Sequence, residues 1–302
     1  MALGVTLLVF GLMSFTDPSI PARNALGEGA SQEAIEQYMD EQGLNDPLPE
    51  RYVNYIAGLV QGDLGTYGAG RTPVIDRIST ALPVTMQLTF IGLIIGAVVS
   101  FVLGVIAALY RDKWPDQLIR VFSIAGIATP SFWFAVLLIL LFSSYLHVLP
   151  ASGPLPHFTT NPGGYMARML MPAIALAFPL TGQMTRIVRT AMVEELDKDY
   201  VRTARGGGLP EFVVIARNVL RNALITPVTT LGLKIGYLMG GAVVIEVIFN
   251  LPGMGTAILA GITGGETMLV QGVAIVVALA FVIINIVVDM LYLLINPRIR
   301  TV

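Results

Sequence analysis

The sequence predicts an all-α, polytopic membrane protein with about six transmembrane helices. Three observations carry that expectation: a low charge content, apolar runs of membrane-crossing length, and basic residues gathered on one side of those runs. Of 302 residues, 55% are hydrophobic and 13% charged, whereas charged residues make up about a quarter of an ordinary soluble domain. The formal net charge of −2 is uninformative because it averages two opposite surfaces. Cysteine is absent, which excludes disulfides, thiolate metal sites and cysteine nucleophiles. The two histidines, His147 and His157, lie in or beside a Pro/Gly-rich stretch. No catalytic residue and no metal site are expected.

A bilayer core of about 30 Å needs about 20 apolar residues in a helix. Leu82–Tyr110, Ile119–Leu146, Met169–Val188 and Leu220–Phe249 reach that length, and a fifth run extends from Leu269 to Ile295. The opening segment, Met1 to Phe15, is apolar but short and stops at Asp17-Pro18. Two readings compete for it. A signal peptide would carry a basic leader, which this segment lacks. The favoured reading is the outer part of a sixth span whose start lies upstream of Met1.

Loop charge sets the orientation, because Lys and Arg near span ends concentrate in the cytosol. Arg111, Lys113, Arg120, Arg186, Arg189, Lys198, Arg202, Arg205, Arg217, Arg221, Arg298 and Arg300 fall on one side, twelve of the eighteen basic residues. Arg23, Arg51, Arg71, Arg77 and Arg168 fall on the other, facing ten acids between Asp17 and Asp76. Both termini are thereby placed in the cytosol.

Residues 17–80 form the largest piece outside the membrane, an extracytoplasmic insertion. Ser31 to Gln42 reads as a helix with Ser31 as cap and Glu33 in its first turn, where the helix dipole favours an acid. Arg51 to Leu59 reads as a second helix and Gly62-Asp63-Leu64-Gly65 as a turn. The plain role is a solvated cap over the first span; the sharper one is a docking surface for an external partner. His147 to Gly164, with four prolines and three glycines, is a loop. After the apolar turn Asn250–Gly255, the short apolar run Thr256–Gly261 suggests a helix dipping back to the membrane surface. Gly92, Gly96, Ser100 and Gly104 recur every four residues, a small-residue stripe for close packing against another helix of this chain or of a partner.

Ionisable residues inside a span are costly and mark pathways or structural pairs. Lys234, Glu246 and Asp289 are the candidates for translocation or gating. Lys234 could extend its stem toward the cytosol, Glu246 could reach outer water, and Asp289 could pair with a basic residue near the inner surface.

The most distinctive stretch is a polar island between two spans, beginning at Glu194 and reaching Arg221. Glu194 to Arg205 contains neither Gly nor Pro and suits about three helical turns. Gly206-Gly207-Gly208 ends it, since Gly accepts positive φ without cost. Leu209-Pro210-Glu211 restarts a helix with Pro and Glu well placed in its first turn. Phe212, Ile215 and Val219 then mark an apolar face. Composition alone suits an amphipathic helix lying on the anionic inner leaflet.

The residue order adds more. Tyr200-Val201-Arg202-Thr203-Ala204-Arg205, then Gly208-Leu209 and Leu220-Arg221-Asn222-Ala223, resembles the EAA loop of ABC-importer permeases, and more narrowly those of the dipeptide, oligopeptide and nickel branch. The family pattern is Glu-Ala-Ala, three residues, Gly, and later Leu-Pro. Here Arg202-Thr203-Ala204 stands for Glu-Ala-Ala and Leu220-Arg221 for Leu-Pro, departures the peptide branch shares. Gly206-Gly207 replaces a more basic sequence, which predicts a looser elbow. Gly62–Gly65, Thr129-Pro130-Ser131-Phe132-Trp133, Glu246–Phe249 with Pro252–Gly255, and Asn296-Pro297-Arg298 extend the resemblance over nearly the whole chain.

The resemblance implies a type I ABC importer permease fold, with residues 81–302 as the transmembrane core and 190–221 as a cytosolic coupling loop. It implies a bacterial or archaeal inner membrane, and a second homologous permease, two cytosolic ABC ATPase subunits and an extracytoplasmic solute-binding protein as partners, besides membrane lipid. No nucleic acid is involved. ATP and Mg would sit on the ATPase subunits, and the chain itself, lacking a G-x-x-x-x-G-K-[ST] loop, would bind no cofactor. Tyr200, Arg202, Thr203, Ala204, Arg205, Gly208 and Leu209 are expected to contact the ATPase. The cargo expected is peptide. The alternative is a secondary transporter or channel not driven by ATP, for which broken helices in repeated halves would be the sign; no such repeat is visible. An intramembrane enzyme would lack acid–base machinery.

Overall fold

The computed structural model describes residues 2–295 other than 16, 18, 28, 42 and 69. The chain divides into two compact units.

The first unit comprises residues 1–85 and 250–283. It begins with α1 (Ala2–Ser14), α2 (Ser19–Leu26), α3 (Gln32–Glu41) and α4 (Leu48–Val60). As read from sequence, the Ser31 hydroxyl caps α3 by accepting from the Ala34 amide at 3.2 Å. Helix α1 has 13 residues, about 20 Å, and falls short of a span by itself. It packs on α4 through Phe10, whose ring meets Tyr52 edge-on at 5.2 Å and stacks on Tyr55 at 6.0 Å. Leu7, Leu8 and Leu12 of α1 are exposed.

At the expected turn, Asp63 accepts from the Gly65 amide at 2.8 Å, and Gly62 and Gly65 both adopt positive φ. A two-stranded hairpin follows, β1 (Thr66–Tyr67) with β2 (Thr72–Pro73), which the apolar pattern did not announce. Helix α5 (Val74–Leu109) starts eight residues before the apolar run at Leu82. Its first turns pack Val74, Ile78 and Ala81 against Met254 and Ala257 of α13 (Met254–Thr263) and Leu269 and Val273 of α14 (Thr267–Ile295). The Thr85 hydroxyl accepts from the Met254 amide at 2.9 Å, fixing the start of α13.

The second unit comprises residues 86–249 and 284–302. Helix α8 (Pro162–Leu196) is its centre: 61% of its apolar stretch is buried, against 28% for α5 and 33% for α12 (Ile225–Phe249). The later part of α5 lies on α8 through the predicted small-residue stripe. A Cβ at Gly96 would come within 2.7 Å of Leu180, and one at Gly104 within 2.5 Å of Val188. The stripe therefore serves this chain's own packing. A second close crossing was not foreseen: a Cβ at Gly182 of α8 would lie 2.6 Å from the Ser123 carbonyl of α6 (Trp114–Ala128).

The run Ile119–Leu146 is not one straight span. Helix α6 and the following α7 (Ser131–Leu138), continued as π-helix over Ile139–Tyr145, are bent by 107°. The cause is Pro130, which pushes the preceding Thr129 to extended backbone (φ −91, ψ 119). By length and composition, four described helices suffice to cross a membrane, or five if the bent pair counts as one.

Candidate functional site

The island forms a compact elbow at the end of α8. It is not one helix from Glu194 to Arg205. Helix α8 ends at Leu196, Lys198 is extended (ψ 147), and a separate helix α9 runs from Asp199 to Gly206. No Gly or Pro marks this break, so sequence gave no warning of it. Gly208 takes φ +77 and closes the elbow as expected. Helix α10 (Glu211–Val213) restarts with Pro210 as its cap residue, then passes through a π-helical turn (Val214–Val219) into α11 (Leu220–Ala223).

The expected apolar face holds at Ile215 and Val219, which pack on the core, and fails at Phe212. Val214 and Val219 are buried while Phe212 is 80% exposed. With Val201 of α9, they close on Ala108, Val188 and Met192. Val201 is thus the peg that fixes α9 to the root of α8. Tyr200 is a second fixing point. Its hydroxyl donates to Glu195, lies 3.2 Å from the Asn218 carbonyl and accepts from Asn222 at 3.2 Å. Burial and the Glu195 contact push its phenol above the ordinary value.

The three-glycine turn is spanned by a side-chain contact. Arg205 donates from Nε and Nη2 to Glu211 at 3.1 and 2.6 Å, spanning the turn with a bidentate brace. This contact crosses the turn in which Gly206-Gly207 predicted a looser elbow. The guanidinium holds the Glu211 carboxyl below its ordinary range. Because the pair is solvent-exposed, it contributes at most about 1 kcal/mol. A carboxyl with a lowered folded pKa stabilises above its unfolded pKa, and the contribution fades as pH falls through the folded value. Amide exchange at Gly206–Gly208 should therefore rise in Arg205→Ala at neutral pH. In the wild type, the difference from Glu211→Gln should vanish only below the ordinary carboxylate range, about pH 4. Equal exchange in wild type and Arg205→Ala would show that the brace is idle.

Of the remaining predicted contacts, Arg202 points outward beside Asp199 at 3.6 Å and Thr203 donates to the Asp199 carbonyl. Ala204 leans on the core under the elbow. Leu209, like Phe212, is exposed. Sequence reasoning had turned Phe212 inward.

Below the elbow lies an ion-pair cluster that the sequence reading passed over. Asp116, in the first turn of α6, is fully buried. Arg189 of α8 donates to it twice, at 2.6 and 2.7 Å. The Asp112 amide adds a bond at 2.9 Å, and Arg120 lies at 3.3 Å. Arg111 joins the same loop to Asp197 at the end of α8, at 3.0 Å. The elbow's root is thus tied to the α5–α6 turn.

Lys234 and Glu246, both on α12, lie apart along the helix. Lys234 lines a cavity of about 540 Å³ between α8 and α12, with its ammonium 5.8 Å from the Tyr237 ring centre. Glu246 is fully buried rather than reaching water. The end of α12 one turn further on is enclosed: Arg168, which sequence placed among outer loop charges, is itself buried and donates to the carbonyls of Ala151, Gly153 and Phe249 at 2.8, 3.0 and 3.1 Å. Asp289 lies on α14, but its side chain and residues 296–302 fall outside the described residues.

Residues 100–301 match the family model described as "binding-protein-dependent transport system inner membrane component", and residues 1–89 match the N-terminal model of such membrane components. The chain belongs to this family. The permease is 37% identical to a probable D,D-dipeptide transport system permease protein of Escherichia coli (strain K12), over 98% of this chain and 93% of the relative. It is 37% identical to a putative peptide transport system permease protein of Brucella abortus (strain 2308), over 98% and 94%. It is 36% identical to a glutathione transport system permease protein of Escherichia coli (strain K12), with the same coverage. A crystal structure titled as an amino acid ABC transporter with histidines shares the fold, with TM-score 0.55 over 74% of this chain and 94% of that one, at 15% identity. The permease is thus a multi-pass membrane subunit of an ABC importer, one part of a larger transport complex.

Proposed function

We propose that the permease carries short peptides into the cytosol as half of a two-permease pathway, driven by two ATPase subunits that bind ATP and Mg and dock on the elbow. The observation that carries this reading is the braced elbow on the root of the most enclosed helix. Force applied to α9 passes through Val201 and Tyr200 into α8. The outer face of the elbow offers Arg202, Thr203, Leu209 and Phe212 to a groove on the ATPase. Basic residues on the same side as the elbow support its cytosolic placement, with both termini on that side. A bacterial or archaeal inner membrane, a homologous second permease and an extracytoplasmic solute-binding protein complete the reading. The relatives named for peptide and glutathione transport support the cargo class.

The test is uptake of a labelled peptide into vesicles containing the assembled complex. The wild type should require ATP and should co-purify with ATPase subunits. Ala204→Asp should insert normally yet abolish uptake and uncouple ATP hydrolysis. Wild-type uptake by this variant, or uptake driven by an ion gradient without ATP, would overturn the reading.

A further inference from the structure

The cavity between α8 and α12 carries charge in an ordered way. On α8, Arg186, Thr190 and Glu194 recur every four residues and are all exposed to it. On α12, Thr226, Thr230 and Lys234 line it at the same spacing, Thr226 exposed and the other two half-buried. The ends of each set are eight residues apart, about 12 Å of helix. The two helices are consecutive spans joined through the elbow, so they run in opposite directions. Counting away from the elbow, Glu194 and Thr226 share one level, Thr190 and Thr230 the next, and Arg186 and Lys234 the third. The cavity therefore has a cationic end far from the elbow, a hydroxyl-lined middle and an acidic end beside the elbow. Neither Arg186 nor Lys234 takes part in an ion pair among the described residues. Both lie on helices long and apolar enough to cross a membrane, where cations with no ion-pair partner are costly and mark ligand pathways.

Resting on the reading of the chain as a peptide permease, we propose that this cavity is a transit site for a short zwitterionic peptide. The α-carboxylate is held by Arg186 and Lys234, and the α-ammonium by Glu194. An extended tripeptide is about 10 Å long, which matches the 12 Å separation of the charged levels. A volume of about 540 Å³ falls within the usual range for small-ligand sites. The threonine hydroxyls between the two ends can bond peptide amides of any sequence. The site thus selects for termini and length and leaves side chains unread.

The probe is trialanine against trialanine amide, each supplied on saturated binding protein to the complex in vesicles, with uptake expressed per loaded binding protein. The wild type should carry the free acid about tenfold faster than the amide, because charge-assisted bonds to the carboxylate are lost in the amide. The Arg186→Gln/Lys234→Met double variant should lower free-acid uptake to the amide rate, while Arg186→Lys should retain most of the discrimination. Equal uptake of both peptides by the wild type would overturn the transit site and leave the peptide reading standing. A wild-type complex that carries neither peptide under ATP would overturn the peptide reading itself. If an added anionic lipid, but not trialanine, protects Arg186 from arginine-specific modification, the cavity is a lipid site and the proposal fails.

Discussion

Gly208→Val is expected to abolish transport while leaving membrane insertion intact. Gly208 has φ +77, and no atom lies within 4 Å of where a Cβ would stand. Crowding is therefore not the reason. The backbone itself is the constraint, because a β-branched residue at positive φ is strained by about 1–2 kcal/mol per residue. Valine would relax toward negative φ, turning Leu209 and everything after it away from α9. The Arg205–Glu211 brace cannot form once that turn opens. We expect ATP hydrolysis to continue without the stimulation normally given by loaded binding protein, and uptake to fall to background. Gly208→Asn is the control, since Asn tolerates positive φ better than other non-Gly residues, and should keep substantial uptake. If valine and asparagine behave alike, the conformation of residue 208 does not matter and the elbow does not transmit force.

The second large effect is expected at Asp116. Removing one member of a buried, hydrogen-bonded ion pair leaves an uncompensated charge and costs about 3 kcal/mol or more. Asp116→Leu strands Arg189, whereas Arg120, which is half-exposed, can turn to water. The detergent-solubilised complex should lose thermal stability markedly in Asp116→Leu and recover most of it in Asp116→Leu/Arg189→Met, because two apolar partners leave nothing unpaired. Equal loss in the single and double variants would show that the pair is not what holds the α5–α6 turn to α8. Uptake by the recovered double variant then tells whether the pair serves stability alone.

How much of this could be read beforehand differs from element to element. The spans followed from apolar length, and the elbow from Gly208 and Pro210, because those signals are local. The bend after Ala128 was legible in principle: Thr129 precedes a proline, and that alone disfavours helix there. The break at Lys198 carries no such mark and depends on Val201 finding the core under α9. Phe212 was placed wrongly because a regular period of 3.6 was assumed across a segment that contains a π-helical turn. Asp116 and Arg189 lie 73 residues apart, so their pairing is invisible to any pattern along the chain. Glu246 and Arg168 failed for a related reason: distance from a span end says nothing about whether a loop folds over it.

The contacts along Gly92, Gly96 and Gly104 bear on the kinematics of switching. Over about 18 Å of α5, the side chains of Leu176, Leu180 and Val188 seat directly on glycines with no α5 side chain in between, and each step of register would drive one of them into a bulkier neighbour. The later part of α5 and α8 must then turn as one block. If the elbow takes the ATPase stroke as proposed, that removes a degree of freedom from the cycle, and the stroke becomes a rotation of this pair with none of it dissipated as slip.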